Sequence, residues 1–304
     1  MPTREQLHAL VDELKHLKAE GVDSLYISDA GMEILERWKG AGAKADEFPT
    51  ATAQAGKGNA LYAVREEVPR AKKKDQASPE RESEARLPAP PEVVLPEGDK
   101  VARWEALREQ VLRCPTCNAA VKPGKKVVFG VGNVDAELFF CGEAPGADEE
   151  VQGEPFVGPA GQLLTKIIQT MGLSRENVYI GNIMNWRPDN GKGYGNRPPT
   201  SEEMAFCLPY LKAQVAIVQP KVIVALGATA VRGLQGLSQN PRMGDLRGKW
   251  SDYEGTPLMV TYHPSYLLRN QSLKRKREVW EDMLLVMEKL GLSISEKQRG
   301  YFLR

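Results

Sequence analysis

Glu137-Leu138-Phe139-Phe140-Cys141-Gly142-Glu143-Ala144-Pro145-Gly146 is the stretch whose reading decides the fold. Its first half is a short apolar run with no helical period, the pattern of a central strand in a parallel sheet. The polarity then flips. Pro145 has no N–H to continue a ladder and the flanking glycines invite unusual dihedrals, so the backbone turns at the strand's carboxyl end. In open α/β sheets that is the edge where ligands bind. An acidic run follows (Asp148, Glu149, Glu150), then Pro155-Phe156-Val157-Gly158, then a helix opening near Pro159 with Leu163, Leu164, Ile167 and Ile168 at helical spacing. Taken alone, the segment reads equally as a plain strand–loop–helix unit with solvated acids and a core Phe156.

Working outward, the periodicity predicts a helix over 101–112 leading into Cys114-Pro115-Thr116-Cys117, a turn at Pro123-Gly124 and strands at 127–129, 137–141 and 178–183. A helix over 202–218, a strand over 222–226, a helix over 228–234, a last core strand over 258–261 and a closing helix over 274–290 complete the pattern. Strands alternating with helices at this spacing imply a three-layer α/β/α domain with a mainly parallel central sheet, occupying residues 100–292. Three strand ends carry polar loops, 142–150, 182–187 and 263–269, and a parallel sheet opens all of them on one edge. No internal repeat and no Walker or dinucleotide-type glycine motif is present.

The flanks differ in character. Leu7, Leu10, Val11, Leu14 and Leu17 share a helical face and a second short helix is expected over 31–38, making residues 1–47 a small helical appendage. A pair this short buries too little to be stable alone; it is either a marginal pair or a docking module for a protein partner. Residues 48–99 turn to Ala, Pro, Glu, Lys and Ser with few large apolar side chains, too little surface to offset ordering, and read as a disordered linker. Lys72-Lys73-Lys74 within it is a solvated run or a phosphate contact. Residues 293–304 are expected to be a C-terminal tail.

The 304 residues are 41% hydrophobic and 27% charged, with a formal net charge of +1, so any nucleic-acid footprint must be a local patch. No run approaches the ~20 apolar residues of a membrane helix, and the amphipathic N-terminus is not signal-like, so the expectation is a cytoplasmic monomer with no membrane association. Cys114, Cys117, Cys141 and Cys207 in such a chain suggest free thiols or metal ligation before disulfides.

GEAPGADEE at 142–150, GEPFVGPAGQLL at 153–164 and HPSYLL at 263–268, with Gly181-Asn182-Ile183 between them, together resemble the family 4 uracil-DNA glycosylases, over roughly Cys114 to Leu290. The resemblance implies a hydrolase that cuts the N-glycosidic bond of uracil in DNA and starts base-excision repair, with uracil-containing DNA as its partner. It places Phe156, Asn182 and Ala144 at the uracil and His263 against the base's O2. The chemistry suits these residues. An amide accepts from uracil N3–H and donates to O4, whereas cytosine presents the opposite pattern. Bond cleavage builds negative charge on the base, which calls for a donor such as His263, and positive charge on the sugar, which calls for a carboxylate. Related family 1 enzymes carry an Asp where this chain has Ala144, which leaves Glu143 and Glu149 to handle the water, with Asp148 and Glu150 as solvent-facing neighbours. Without the resemblance, Asn182 reads as a turn cap and His263 as a packed or capping residue.

Ser265, Leu267, Leu268 and Arg269 follow as DNA contacts, the leucines as a wedge into the vacated stack and Arg269 on a phosphate; two leucines after a turn also read as core. Lys274-Arg275-Lys276-Arg277 sits at a helix start, poor for the dipole and better suited to phosphates, or is a solvated face. The family holds a [4Fe-4S] cluster on four cysteines. Cys114, Cys117 and Cys207 match three of the positions, and the remaining one falls in Asn185-Trp186-Arg187-Pro188, where this chain has Trp186. A zinc site or reduced thiols are the alternatives there. Two rival functions share the fold: a catalytically weak binder of damaged DNA, and a glycosylase for another deaminated base.

Overall fold

A computed structural model describes residues 87–189 and 196–303; the expected helical appendage, residues 48–86 of the linker and its lysine run lie outside the described residues. The elements in chain order are α1 (Lys100–Arg113), α2 (Pro115–Ala120), β1 (Val131–Gly132), β2 (Leu138–Gly142), α3 (Ala147–Gln152), α4 (Pro159–Thr170), β3 (Tyr179–Asn182), α5 (Ser201–Val218), β4 (Val222–Leu226), α6 (Ala228–Gln235), α7 (Met243–Leu246), β5 (Trp250–Tyr253), β6 (Thr256–Thr261), α8 (Pro264–Arg269), α9 (Leu273–Lys289) and α10 (Glu296–Arg299).

These strands form one six-stranded sheet in the order β1-β3-β2-β4-β6-β5. The inner four are parallel, and the two edges, β1 and β5, are antiparallel. Leu-Phe-Phe-Cys-Gly in β2 and Val-Ile-Val-Ala-Leu in β4 are buried at every position, because helices cover both faces. The two-residue period sorts their side chains: Phe139 and Cys141 pack with α1, α5 and α6, while Leu138 and Phe140 pack with Leu164 and Ile168 of α4 and Trp280, Met283 and Met287 of α9.

The chain leaves β2, pairs β3 on one side of it and then crosses to β4 on the other, so β2 is the point where the strand order reverses. Gly142 pairs with Asn182, and Leu226 with Thr261, which brings four strand ends to one edge at that point.

Several expectations shift. Residues 127–129 are buried and extended but lie outside the sheet: Val128 N–H donates to Asn185 O (2.8 Å) and Asn185 Nδ2 donates to Val128 O (3.0 Å), while the strand begins at Val131. The hairpin of β5 with β6 went unread because Trp250-Ser251-Asp252-Tyr253 is mostly exposed and lacks an apolar run. The last part of the expected linker lies on the domain, with Leu87, Val93 and Leu95 packed against the α1 side of the core. The expected tail is packed too. Ile294 and Tyr301 join the opposite core face, Trp280 Nε1 donates to Gln298 O (2.6 Å), and Gln298 Nε2 donates to Thr170 O (2.8 Å). Among the described residues no helix is long and apolar enough to cross a membrane.

Candidate active site

The four strand ends enclose a cleft of about 550 Å³. Its floor is a contact that only glycine permits: a methyl group on Gly142 would strike both Asn182 Oδ1 and the ring of Phe156. The end of β3 thereby presents the Asn182 amide directly beside an aromatic ring. Asn182 is 6% exposed, and its Oδ1 has no hydrogen-bond partner. A buried carbonyl acceptor left empty costs stability unless a ligand completes it.

Phe156 adopts φ 55°, a left-handed conformation unusual for an aromatic residue. Two features hold it there. Arg175 spans the turn, its Nη1 donating to Phe156 O and its Nη2 to Pro155 O, both at 2.9 Å. From below, Gly161 of α4 lets the Phe156 carbonyl approach closer than any Cβ would allow. The loop is closed again by Glu149, whose Oε1 accepts from Val157 and Gly158 N–H (3.0 and 2.9 Å) and whose Oε2 accepts from Gly146 N–H (3.0 Å). This corrects one expectation: the Glu149 carboxylate is a bracket between the two lips of the loop, already engaged by three backbone donors. Glu143, by contrast, lines the cleft half-exposed next to the small Ala144, and among the described residues no hydrogen bond or ion pair engages its carboxylate.

Glu150 is likewise not solvent-facing. It is buried and paired with Arg187 (Nη1 to Oε1, 2.9 Å), while Arg187 Nε donates to Asn196 Oδ1 (2.6 Å) and Asn196 Nδ2 to Pro145 O (3.4 Å). This network fastens the β2 loop to the segment after β3. Arg187 and Asn196 line the cleft and were not singled out from the sequence.

His263 caps α8 and its ring lies 5.7 Å from that of Phe156. Nδ1 accepts the backbone N–H of Ser265 (3.1 Å) with Ser265 Oγ at 2.8 Å. An Nδ1 that accepts a backbone proton carries none, so the ring is the Nε2–H tautomer. Burial, with the Arg269 charge nearby, lowers its pKa from 6.5 to about 4. The site therefore holds a neutral imidazole that donates from Nε2. Gly227, at the end of β4 with φ 92°, passes beneath it where a Cβ would press on the His263 Cβ. Behind it, Thr261 Oγ1 donates to Asp282 Oδ2 (2.6 Å), and Arg247 Nη2 reaches the other oxygen (2.7 Å).

The expected DNA contacts divide. Leu267 is buried in the fold, which removes it as a wedge, whereas Leu268 is half-buried and Arg269 exposed at the cleft. Within the basic cluster, Lys274 is exposed, but Arg275 is occupied by Glu278 (2.7 Å) and the Tyr262 hydroxyl (3.1 Å), and Arg277 by Glu281 and the carbonyls of Arg299 and Tyr301.

On the α1 side of the sheet, among residues that do not line the cleft, Cys117 faces both Cys207 and Cys114, and the Tyr210 hydroxyl reaches Cys114. The hydrogen bond with the Cys207 thiol, followed by burial, pushes Cys117 well above the usual thiol range. Trp186 is buried against Phe206, with ring centroids 6.0 Å apart. Cys114, Cys117 and Cys207 are three buried sulfur donors, whereas a four-iron cubane takes four.

Residues 129–284 match the Uracil DNA glycosylase superfamily. The chain is 43% identical over 180 residues to the Type-4 uracil-DNA glycosylase of Thermotoga maritima, covering 59% of this chain and 90% of that protein. It is 39% identical over 196 residues to the Type-4 uracil-DNA glycosylase of Saccharolobus solfataricus (62% and 86%) and 38% identical over 178 residues to that of Pyrobaculum aerophilum (56% and 87%).

Proposed function

The chain belongs to the uracil-DNA glycosylase superfamily, and from that premise we propose that its cleft takes a uracil extruded from DNA and hydrolyses the N-glycosidic bond, leaving an abasic site. The observation that carries the reading is the empty, buried Asn182 Oδ1 beside the Phe156 ring. Uracil stacks on Phe156, gives its N3–H to Oδ1 and takes the amide N–H at O4. Cytosine offers neither: it has no proton at N3 and a donor at C4, so the buried amide would stay unsatisfied, a penalty large enough to discriminate by orders of magnitude.

As the bond to C1′ breaks, the electron pair moves onto the base and charge gathers at O2. The neutral His263 Nε2–H donates there, and it does so without a competing proton at Nδ1. On the sugar side, the free carboxylate of Glu143 orients the attacking water and offsets the positive charge, a task that Glu149 is too engaged to share. Arg269 and Lys274 meet phosphates and Leu268 enters the vacated stack.

An oligonucleotide bearing a single uracil, incubated with the protein and then cut with alkali, tests the reading. Strand scission at the uracil, with none at a cytosine in the same position, is the expected result. Binding without scission at any enzyme concentration would reject it in favour of a damage binder.

A further inference from the structure

We propose that Trp186 has taken the place of a fourth metal ligand, so that Cys114, Cys117 and Cys207 form part of a closed apolar core that holds no iron–sulfur cluster and no other metal. The inference rests on the family assignment only for knowing which position to compare; everything else is the packing around these residues.

The thiols come from two places, Cys114 and Cys117 from the junction of α1 and α2 and Cys207 from α5, and they converge under Leu107, Val111 and Leu211 of the same core. All three are buried, Cys117 and Cys207 completely. Aromatic side chains belong to the same core cluster. Trp186, 2% exposed, lies against Phe206, the neighbour of Cys207, and the Tyr210 hydroxyl occupies the flank of Cys114. An indole offers roughly 150–250 Å² of apolar contact and no lone pair for a metal. Three thiolates collected in this environment would be buried like charges, costly to remove from water. As thiols they are ordinary small core residues.

Among the described residues no replacement ligand joins them. Cys141 belongs to β2 and lies beside Tyr253. His263 is committed to the cleft through Ser265. Among the described residues no group of three or more His, Cys, Asp and Glu side chains is arranged to hold a metal ion. The job that a cluster performs for a strap of chain, tying α1 and α2 to α5, falls here to side-chain packing alone. Trp186 immediately precedes Arg187, which fastens the cleft loop through Glu150.

The test compares the full chain with Trp186→Cys, both purified without oxygen and then incubated with ferrous iron and sulfide. Wild type should stay colourless, hold well under one iron or zinc per chain, and keep its melting temperature in chelator. Trp186→Cys should gain visible thiolate-to-iron absorption and about four irons per chain. Stoichiometric metal in wild type, or uptake equal to that of the variant, overturns the proposal. A folded Trp186→Cys that remains metal-free overturns the assignment of Trp186 to the ligand position. Should Trp186→Cys not fold, Cys117→Ala serves instead. The proposal expects a modest drop in melting temperature, the same with and without chelator; a melting temperature that responds to chelator in wild type but not in Cys117→Ala overturns it. None of these readouts depends on uracil release, so failure of the inference and failure of the proposed activity are separable.

Discussion

Asn182 and His263 are poised in opposite senses, one as an acceptor with nothing to accept and the other as a donor with its second nitrogen already tied. Asn182→Asp replaces the donating nitrogen with an oxygen, so O4 of uracil meets a lone pair instead of a proton. Single-turnover release of uracil should fall by at least ~100-fold and the preference over cytosine should narrow; an unchanged rate would reduce Asn182 to a turn residue. For His263, a base held at about 4 stays neutral in the fold while the unfolded chain protonates below about 6.5. Two consequences carry signs. The Nε2–H donor persists to pH 5, so ring nitrogen chemical shifts of the folded protein should report the neutral Nε2–H tautomer there. Stability associated with this residue is complete above about pH 6.5 and declines as pH falls toward 4, since only the unfolded state takes up the proton. A His263 titrating near 6.5 in the folded protein would remove both. Asn182, Phe156 and His263 were legible in sequence because each sits in or beside a strand-end motif. Arg187 and Glu150 were not, because their meaning lies in a pairing across 37 residues that no local pattern encodes.

At the scale of elements, the β2-to-α4 loop shows how a carboxylate's role depends on what already binds it. Glu149 is the third residue of the short helix after Gly146, the position from which an acid reaches back to cap the preceding N–H, and that spacing was the available signal. Glu149→Gln would turn an amide NH₂ toward a backbone N–H at one of its contacts, so it should loosen the loop: a lower melting temperature together with a lower rate. Glu143→Gln should cut the chemical step by at least ~10-fold with the melting temperature and binding to undamaged DNA unchanged. If the two variants behave alike, the division of labour between these acids is wrong. The basic cluster at the start of α9 divides in the same way. Lys274→Ala should reduce the slope of log affinity against log salt by about 0.9, the release of one counterion. Arg275→Ala, which removes the partner of Glu278 and Tyr262, should leave that slope unchanged and cost stability instead.

Across the molecule, the alternation of apolar strands and amphipathic helices made the mainly parallel sheet legible, whereas the order of its strands comes from the structure alone. The borders of the domain were the poorly read part. Composition alone made residues 48–99 a linker, because Pro-rich sequence with few apolar residues cannot form its own core, yet it can still lie on one that exists. Leu87, Val93 and Leu95 do this on the α1 face, the face that contains Trp186 and the three thiols. Each is only partly buried, so at ~25 cal/mol per Å² of apolar surface it contributes on the order of 1 kcal/mol, and together about 3 kcal/mol as an upper figure. For a domain of roughly 200 residues, that corresponds to a loss of about 6–12 °C in melting temperature. A chain beginning at residue 100 should therefore melt that much lower than one beginning at residue 87. Uracil release at 25 °C should be the same for both, since Leu87, Val93 and Leu95 are not among the residues that line the cleft. Equal melting temperatures would mean that the strap only rests on the core; a loss of rate at 25 °C with the fold intact would mean that it acts on the site through Trp186 and Arg187.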